Sequence, residues 1–311
     1  MAISTSSLVY VLFLSAMIIF NMAGNSLVCF LILKKKAMKT SINWLLFHLA
    51  CADLLVAVFF IPPCILSHFI EPPSGATGDL LCMFIFSGVL GWIAAAASSY
   101  LLVVIAFERY HATVYPFEKL RGGRSSWLVP LVWIIAILLL LPSLVVSGYD
   151  AESRLCVQNF PDYTTARAYK LTWSFCNSVL PICIMGYLYI KIIWCLHNHV
   201  LAPGYSLNSV SQSRNKVTKM LISVSAIFIT CWAPPAMLCG FSPMIPGGYG
   251  TVYYVSTASA LMNSCLNPLV YTLHSQQFRK GLASLVCCSK TKYTEATSNT
   301  NKTKRVLESN C

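Results

Sequence analysis

One carboxylate lies deep within an uncharged apolar segment. Asp53 comes about ten residues into the run 42–70, a depth of roughly 15 Å if that run is helical. A carboxylate in such surroundings costs free energy and marks a functional site by default. It can bind a small hard cation together with other oxygen ligands, or it can stay protonated and only join helices by hydrogen bonds. Polar side chains at similar depths in other apolar runs can serve either role: Asn25, Ser98, Ser99, Asn263, Ser264 and Asn267.

A second charged group closes another long uncharged segment. No charged side chain lies between Cys82 and Glu108, and the segment ends on Glu108-Arg109-Tyr110. Glu108 can pair with Arg109 and hold the guanidinium in one orientation, although an arginine at a membrane boundary often only extends toward water. The residues that share a helix face with Arg109 are small or apolar, which lets neighbouring helices approach closely: Leu102, Ser98, Ala95 and Gly91.

The elements that must position these residues are membrane-spanning helices. Of the 311 residues, 57% are hydrophobic and 10% are charged, whereas a soluble domain carries about 25% charged residues. Most of the 14 cysteines lie in apolar runs, where cysteine behaves as a small hydrophobe. Seven runs are about long enough to cross a bilayer as helices, and they cover 8–33, 42–70, 80–106, 127–147, 168–196, 217–240 and 250–273. The sequence therefore predicts an all-α membrane protein, a seven-transmembrane helix bundle.

Basic residues predict the orientation of this bundle. With the N-terminus outside, 19 of the 22 Lys and Arg residues lie on the cytoplasmic side, facing anionic lipid, so the net charge of +12 does not indicate nucleic-acid binding. We expect a short extracellular N-terminus at 1–7, a transmembrane domain at 8–273, a short amphipathic eighth helix with a palmitoylation region at 274–288, and a disordered cytoplasmic tail at 289–311. The cysteines expected to carry palmitate are Cys287 and Cys288.

Several classes of membrane protein fit this sequence poorly. A transporter usually carries several charges inside the membrane and inverted repeats, but Asp53 is the single acid well inside a run, and seven runs do not divide into halves. An intramembrane aspartyl protease needs two aspartates that share a site. The sequence shows no cluster of metal ligands and no pairing of a nucleophile with a base, so we predict that the protein is not an enzyme. A polytopic transporter is the least favoured alternative.

Short motifs occur in order along the successive runs. With them the chain resembles the rhodopsin-like (class A) G-protein-coupled receptors over residues 8–288, and Phe278-Arg279 matches the start of the eighth helix of that family. Seven motifs in order are far more specific than any one of them. They are Gly24-Asn25-Ser26-Leu27-Val28, Leu49-Ala50-Cys51-Ala52-Asp53-Leu54, Glu108-Arg109-Tyr110, Trp133 with Pro142, Pro181 with Tyr189, Phe228-Ile229-Thr230-Cys231-Trp232-Ala233-Pro234, and Asn267-Pro268-Leu269-Val270-Tyr271.

The resemblance implies roles for individual residues at the centre and the inner end of the bundle. It implies an allosteric sodium ion, and no other cofactor, at Asp53, Ser98, Asn263 and Asn267. It implies a plasma-membrane receptor that activates heterotrimeric G proteins and has arrestin as a further partner. The residues that carry G-protein coupling and activation in this picture are Glu108, Arg109, Tyr110, Tyr189 and Tyr271.

The resemblance also bears on the outer end of the third run. It implies a disulfide between Cys82 and Cys156, which suits the oxidising outer face of a membrane. The segment from Cys82 to Arg109 is about two residues longer than is usual in the family, while Ser98 keeps its expected spacing. We therefore expect the extra length in the outer part of the third helix, where ligand selectivity is decided.

The ligand class is narrowed by side chains that are missing. No lysine between Lys219 and Lys280 is available to hold retinal, and Gly91 and Trp92 stand where amine receptors place an aspartate. The segment 215–220 resembles neuropeptide receptors of the somatostatin and galanin type, so we favour a peptide, with a lipid or other small molecule as the alternative. The external loops carry five acids against three bases, a slight bias toward a cationic ligand. The residues expected to line the ligand pocket, unless they are packing or lipid-facing residues, are Trp92, Trp173, Trp232, Tyr253 and Thr257.

Overall fold

The computed structural model describes residues 5–115, 127–200, 209–241 and 248–285. The predicted lipidation site at Cys287 and Cys288 and the predicted tail at 289–311 lie outside these residues. In chain order the described elements are α1 (Thr5–Lys34), α2 (Ser41–Cys64), α3 (Ala76–Leu81), α4 (Val89–Val114), α5 (Leu128–Val145), β1 (Ser147–Asp150), β2 (Leu155–Gln158), α6 (Tyr163–Ser174), α7 (Leu180–Val200), α8 (Ser209–Phe241), α9 (Gly248–His274) and α10 (276–285).

The helices group into seven spans, which we number in chain order. The third span joins α3 to α4, the fifth joins α6 to α7, and α1, α2, α5, α8 and α9 form the others. Among the described residues, six helical stretches are long and apolar enough to cross a bilayer by length and composition. The seventh span, α9, has 27 residues but is less apolar because it carries Asn263, Ser264 and Asn267, which are buried inside the bundle.

Many large apolar side chains face outward in this bundle. Ile19, Leu138 and Ile190 are all more than half exposed, which suits contact with lipid chains. The third span is the most enclosed of the candidate spans, and every residue from Ala94 to Ser99 is buried. Burial also confirms the predicted inward face of this span, formed by Gly91, Ala95, Ser98 and Leu102.

The third span changes its helix type at one end. Cys82–Phe86 forms a π-helical turn, in which the Ser87 N–H donates to the Cys82 carbonyl at 2.9 Å. Gly88 then adopts the left-handed conformation, with φ of 74°, before α4 begins at Val89. A π turn holds more residues than an α turn, and glycine takes positive φ without a Cβ penalty. The irregular part of the third span thus lies between Cys82 and Gly88, before the regular helix that carries Ser98, and the extra length relative to the family stays a prediction.

A β-hairpin covers one end of the bundle, which we call the hairpin end. Its strands β1 and β2 are antiparallel, and Tyr149 pairs with Cys156. The Tyr149 N–H also donates to the Asp79 carboxylate at 2.9 Å, which attaches the hairpin to α3. The predicted disulfide is confirmed: Cys82 and Cys156 are bonded, with their Cα atoms 5.3 Å apart. The hairpin is thus fixed to the third span at two points.

The helix α10 follows α9 at the opposite end of the bundle. Phe278 is buried, and its ring centroid lies 5.6 Å from that of Tyr271 on α9. A Cβ at Gly281 would meet a Leu31 side-chain carbon at 3.2 Å, so α10 packs closely on the first span. Lys280 is exposed on the other face. The predicted amphipathic helix is present in the described residues.

Candidate functional site

Asp53 is fully buried at the centre of the bundle and accepts three hydrogen bonds. The hydroxyls of Ser98 and Ser264 each donate to Asp53 Oδ1 at 2.8 Å, and Asn267 Nδ2 donates to Oδ2 at 2.8 Å. Three of the four residues predicted for a sodium site are therefore in direct contact. The fourth, Asn263, is buried one helical turn before Asn267. The cluster joins the second, third and seventh spans.

Helical spacing and close packing of backbones explain why these groups meet. The buried face of α2 that includes Asp53 is otherwise apolar and consists of Leu46, Leu49, Val56 and Phe60. Gly24 lets the first span approach the seventh, because a Cβ at this position would lie 3.0 Å from Pro268 Cγ. Next to it, Asn25 Nδ2 donates to the Ser264 carbonyl at 3.2 Å. Small residues thus bring the polar side chains of three helices to one depth.

Three buried amide oxygens in or beside this network have no hydrogen-bond partner within the described part of the chain. They are the Oδ1 atoms of Asn25, Asn263 and Asn267. A buried acceptor without a partner costs free energy, so such atoms call for an additional ligand. Carboxylate, hydroxyl and amide oxygens are the ligands that hard cations prefer. The donor set therefore fits a sodium ion.

A cavity of about 690 Å³ opens at the hairpin end. Trp92 on its wall contacts two other tryptophans that line it: the Trp92 ring centroid lies 6.4 Å from those of Trp173 and Trp232. Phe60 packs edge-on against Trp92, with 5.1 Å between the ring centroids. Residues 154–158 of the hairpin form another part of the wall. The volume lies within the range of about 300–1,000 Å³ that is typical of ligand sites.

The cavity contains four of the five residues predicted to line a ligand pocket: Trp92, Trp173, Trp232 and Tyr253. Thr257 is not among the described lining residues. It is fully buried one helical turn from Tyr253, and its hydroxyl donates to the Tyr253 carbonyl at 2.9 Å. The structure therefore places Thr257 behind the cavity wall, where it packs within α9.

Three of the described residues that line the cavity carry a charge. Arg154 Nη1 lies 3.7 Å from Glu71 Oε2, and both side chains are more than 60% exposed. Lys170 is half-buried on α6, one helical turn before Trp173. The sequence suggested a cationic ligand from the excess of loop acids, but the cavity wall itself carries more positive than negative charge.

At the end opposite the hairpin, Glu108 and Arg109 lie in the last part of the third span. The Ser41 hydroxyl on α2 donates to Glu108 Oε1 at 3.2 Å, which ties the second span to the third. Within the described residues, the buried Arg109 Nε has no hydrogen-bond partner. The Tyr110 ring packs edge-on against Tyr115, at 6.2 Å between centroids. The Nε–H of Arg109 thus remains a hydrogen-bond donor that no described residue accepts.

Two tyrosines lie near this arginine. The Ser225 hydroxyl of the sixth span donates to the Tyr189 hydroxyl of the fifth at 3.1 Å. The Tyr189 side chain lies near enough to Arg109 and to Tyr271 to interact electrostatically with each of them. Tyr271 is fully buried, and its hydroxyl has no hydrogen-bond partner among the described residues. The structure therefore brings the predicted activation residues of the third, fifth and seventh spans to one region.

Lys170 and Ser41 were not assigned a site role from the sequence, and Ser264 was named as a polar side chain near Asp53 but not placed in the sodium set. Ser264 lies at the depth of Asp53, but the sodium set was taken from the family pattern, which omitted it. Lys170 precedes Trp173 by three residues, a helical spacing that was available as a signal. Ser41 gives no local signal, because its contact with Glu108 joins residues 67 positions apart.

The family model described as "7 transmembrane receptor (rhodopsin family)" matches residues 24–271. The match covers most of the chain, from the first span through Tyr271. Members of this family are multi-pass plasma-membrane receptors, in agreement with the prediction of a receptor rather than an enzyme or a transporter.

Individual relatives match over almost the same length. Neuropeptide FF receptor 2 of Rattus norvegicus is 28% identical over 307 residues, covering 88% of this chain and 72% of the relative. RYamide receptor of Tribolium castaneum is 27% identical over 313 residues, with 90% and 83% covered. Neuropeptide Y receptor type 2 of Mus musculus is 29% identical over 292 residues, with 88% and 74% covered. The chain belongs to the rhodopsin family of seven-transmembrane receptors.

Proposed function

We propose that this chain is a cell-surface receptor that binds an extracellular peptide at the hairpin end and activates a heterotrimeric G protein at the Arg109 end. In this proposal the N-terminus is outside, so α10 and most of the basic residues face the cytoplasm. The observation that carries the proposal is the cavity of about 690 Å³, with its aromatic wall and tethered hairpin. Relatives named as neuropeptide receptors support a peptide as the ligand.

Trp232 connects the cavity to the centre of the bundle. Its ring lines the cavity and lies 6.0 Å from the ring of Phe228, which is fully buried one helical turn away. A peptide side chain that displaces Trp232 therefore presses on Phe228 and on the sixth span. Pro234 and Pro235 lie inside α8 and remove backbone donors, so this span can bend at that point.

Movement of the sixth span acts on the Arg109 region through Tyr189. The hydrogen bond from Ser225 to Tyr189 joins the sixth span to the fifth, and an outward swing of the sixth span breaks it. The Tyr189 hydroxyl is then available to Arg109 and Tyr271, its electrostatic neighbours. Arg109 is exposed to a G-protein α-subunit in that state, and its guanidinium suits backbone or side-chain carbonyl acceptors.

The cluster at Asp53 opposes this movement. Asp53, Ser98, Asn263 and Asn267 would hold a sodium ion, with Ser264 and Asn25 beside them. A bound cation supplies positive charge that compensates the buried carboxylate. Asp53 then holds the second, third and seventh spans in the inactive arrangement. By linkage, the activating peptide and sodium weaken each other's binding by the same factor.

A peptide-library screen tests the receptor function. Cells that express the chain with promiscuous G proteins are exposed to the library, and second-messenger release is recorded. We expect at least one peptide to activate the cells, and Arg109→Ala to abolish signalling while peptide binding and surface expression persist. If a peptide activates the Arg109→Ala variant as strongly as the wild type, the proposed role of Arg109 is wrong. Ion flux or solute uptake without G-protein activation contradicts the receptor function.

Thermal unfolding of the purified receptor tests the sodium site. Unfolding is compared in sodium chloride and in choline chloride at equal ionic strength. Above the dissociation constant, each tenfold rise in sodium adds about 1.4 kcal/mol of stability to the form that binds it. We expect Asp53→Asn to remove this sodium dependence and Glu108→Gln, which changes another buried acid of the spans, to retain it. Equal sodium dependence in wild type and Asp53→Asn excludes the site.

A further inference from the structure

Two segments that are far apart in the sequence bring lysines together at the end of the bundle opposite the hairpin. One segment is the end of α1 with the short turn that follows it, and the other is α10. Their exposed or half-buried lysines, which we call the lysine patch, are Lys34, Lys35, Lys36, Lys39 and Lys280. Neighbouring charges of one sign repel one another, so the patch favours an anionic partner.

Direct contacts hold the two segments of the lysine patch together. A Cβ at Gly281 of α10 would lie 3.7 Å from Met38 Sδ in the turn. Asn43 Nδ2 donates to the Met38 carbonyl at 2.9 Å and to Gln277 Oε1 at 3.5 Å, which links the turn to α10 through one amide. Because Lys280 follows Gln277 by three residues, it lies on the side of α10 that faces the turn.

The carboxylates of the described residues do not neutralise this patch. Glu108 is the described acid at this end of the bundle, and it is buried and accepts a hydrogen bond from the Ser41 hydroxyl. Within the described part of the chain, none of Lys36, Lys39 and Lys280 forms an ion pair. All three side chains are exposed, so their charges are accessible to a partner from outside the chain.

Exposed apolar side chains of the first span lie next to the patch. Phe30 and Leu33 are 45% and 51% exposed, and the Lys34 ammonium lies 4.8 Å from the centroid of the Phe30 ring. Lys34 therefore marks the level at which the apolar surface of the span gives way to charge, as at the boundary between acyl chains and headgroups. A partner that covers both surfaces needs an acyl chain and an anionic headgroup, which favours a lipid over a soluble anion.

We infer that the lysine patch binds the headgroup of an anionic lipid that carries several phosphates, such as a phosphatidylinositol bisphosphate, with the acyl chains against Phe30 and Leu33. Lysine pairs with phosphate as a compact charge, and several phosphates on one headgroup can pair with lysines of both segments at once. The bound headgroup thereby joins α10 to the first span. The inference goes beyond the proposed function and takes from it only the orientation, in which the patch faces the cytoplasmic leaflet.

Short-chain lipids test the site on the purified full-length receptor in detergent. Native mass spectrometry measures the binding of dioctanoyl phosphatidylinositol bisphosphate, of dioctanoyl phosphatidylserine and of inositol trisphosphate, which is the free headgroup. We expect the bisphosphate lipid to bind at least about tenfold more tightly than phosphatidylserine, also when the two are compared at equal total charge. We expect the free headgroup to bind more weakly than the lipid, because it lacks the acyl chains.

Two results of this comparison overturn the inference. Equal binding of the two lipids at equal total charge shows diffuse attraction without a site. A free headgroup that binds as tightly as the bisphosphate lipid identifies a soluble polyphosphate as the ligand and refutes the assignment to a lipid.

Variants that remove charge assign the binding to both segments. Lys280→Gln in α10 should lower affinity for the bisphosphate lipid by about fivefold, and Lys36→Gln combined with Lys39→Gln in the turn by about 25-fold. Lys191→Gln is the matched control, because it removes an exposed lysine from the fifth span, and it should change affinity by less than about twofold. All four positions are exposed, so the variants should unfold at the temperature of the wild type. Unchanged affinity after either change to the patch, or an equal loss in Lys191→Gln, overturns the inference.

The lipid assay and the peptide-library screen fail independently. Both ends of the bundle are accessible in detergent, so lipid binding depends neither on the orientation nor on a peptide. Lipid binding that requires the patch, together with no active peptide in the screen, keeps the lipid site and counts against the peptide receptor. An active peptide, together with no preference for the bisphosphate lipid, keeps the receptor and refutes the lipid site.

Discussion

Gly91 lies where the third span packs closely against Phe60 of the second span, beside the cavity. A Cβ at Gly91 would be 2.9 Å from both Cδ1 and Cε1 of Phe60. Ordinary contacts of this kind are 3.4–4 Å long, so Gly91→Ala requires a displacement of about 0.5–1 Å. Phe60 is fully buried, so its ring cannot swing out into solvent. It also packs on Trp92, so the displacement reaches the cavity wall.

The expected cost follows from overpacking. Forcing one additional methyl group into a close-packed interior costs about 1–3 kcal/mol. At roughly 2–4 °C per kcal/mol, the apparent melting temperature of Gly91→Ala should fall by roughly 2–12 °C. Affinity for cavity ligands should fall as well, because Trp92 moves with Phe60. A smaller residue at position 60 relieves the contact, so Phe60→Leu should recover part of the stability of Gly91→Ala.

The assay is thermal unfolding of purified receptor, with Gly186→Ala as the matched control. A Cβ at Gly186 meets nothing within 4 Å, and this glycine also lies within a membrane-spanning helix. Both glycines lie inside membrane-spanning helices, so the helix preference of alanine affects the two variants alike. If Gly91→Ala melts at the same temperature as Gly186→Ala, the packing explanation is wrong.

Three further outcomes test other parts of the structure. Cys156→Ser removes a disulfide that spans 74 residues and should lower the free energy of unfolding by up to about 4 kcal/mol, because the unfolded chain gains entropy. Unfolding of this variant should no longer respond to reductant. Tyr100→Phe removes a hydrogen bond of 3.2 Å to the Cys176 carbonyl, which lies in the π turn at 175–179, and should lower the free energy of unfolding by about 1 kcal/mol. Tyr187→Phe, at an exposed position, should leave the free energy of unfolding unchanged in the same assay. The Thr165 backbone N–H and hydroxyl donate to the Asp162 carboxylate at the start of α6 and lower its pKa. The stability from this cap is fully present above the unfolded pKa of about 3.9 and is lost as pH falls through the lower folded pKa. A carboxylate NMR titration should show a normal pKa for Asp162 only in a variant that lacks these donors.

The positions of the spans were predictable because they depend on local composition. Apolar runs without charge specify helices in lipid whatever their neighbours are, and the described helices follow the predicted runs. Two of the helices begin before the predicted runs, at Thr5 and at Ser209, because helical hydrogen bonding continues into polar residues at the membrane surface. The seventh span was recognisable from its motif although its buried polar residues lower its hydropathy.

The candidate sites were predictable to the extent that depth and helix face determine them. Asp53, Ser98 and Asn267 meet because each lies at mid-depth on an inward face. Ser264 shares that depth, but only the packed structure shows that its hydroxyl reaches Asp53. Thr257 and Tyr253 share a face of α9, yet a single helical turn separates a buried packing residue from a cavity residue.

The sequence by itself determined the fold class, the enclosed third span, and the polar cluster around a lone buried acid, because periodicity and the cost of charge in lipid act locally along each helix. The tertiary structure decided how the helices are placed against one another. It placed a π turn and Gly88 before the regular helix of the third span, gave Glu108 a partner in Ser41, and brought the tryptophans onto one cavity wall. Such contacts depend on helix rotation and depth, which are set by side-chain packing between distant segments and have no signature in any one of them.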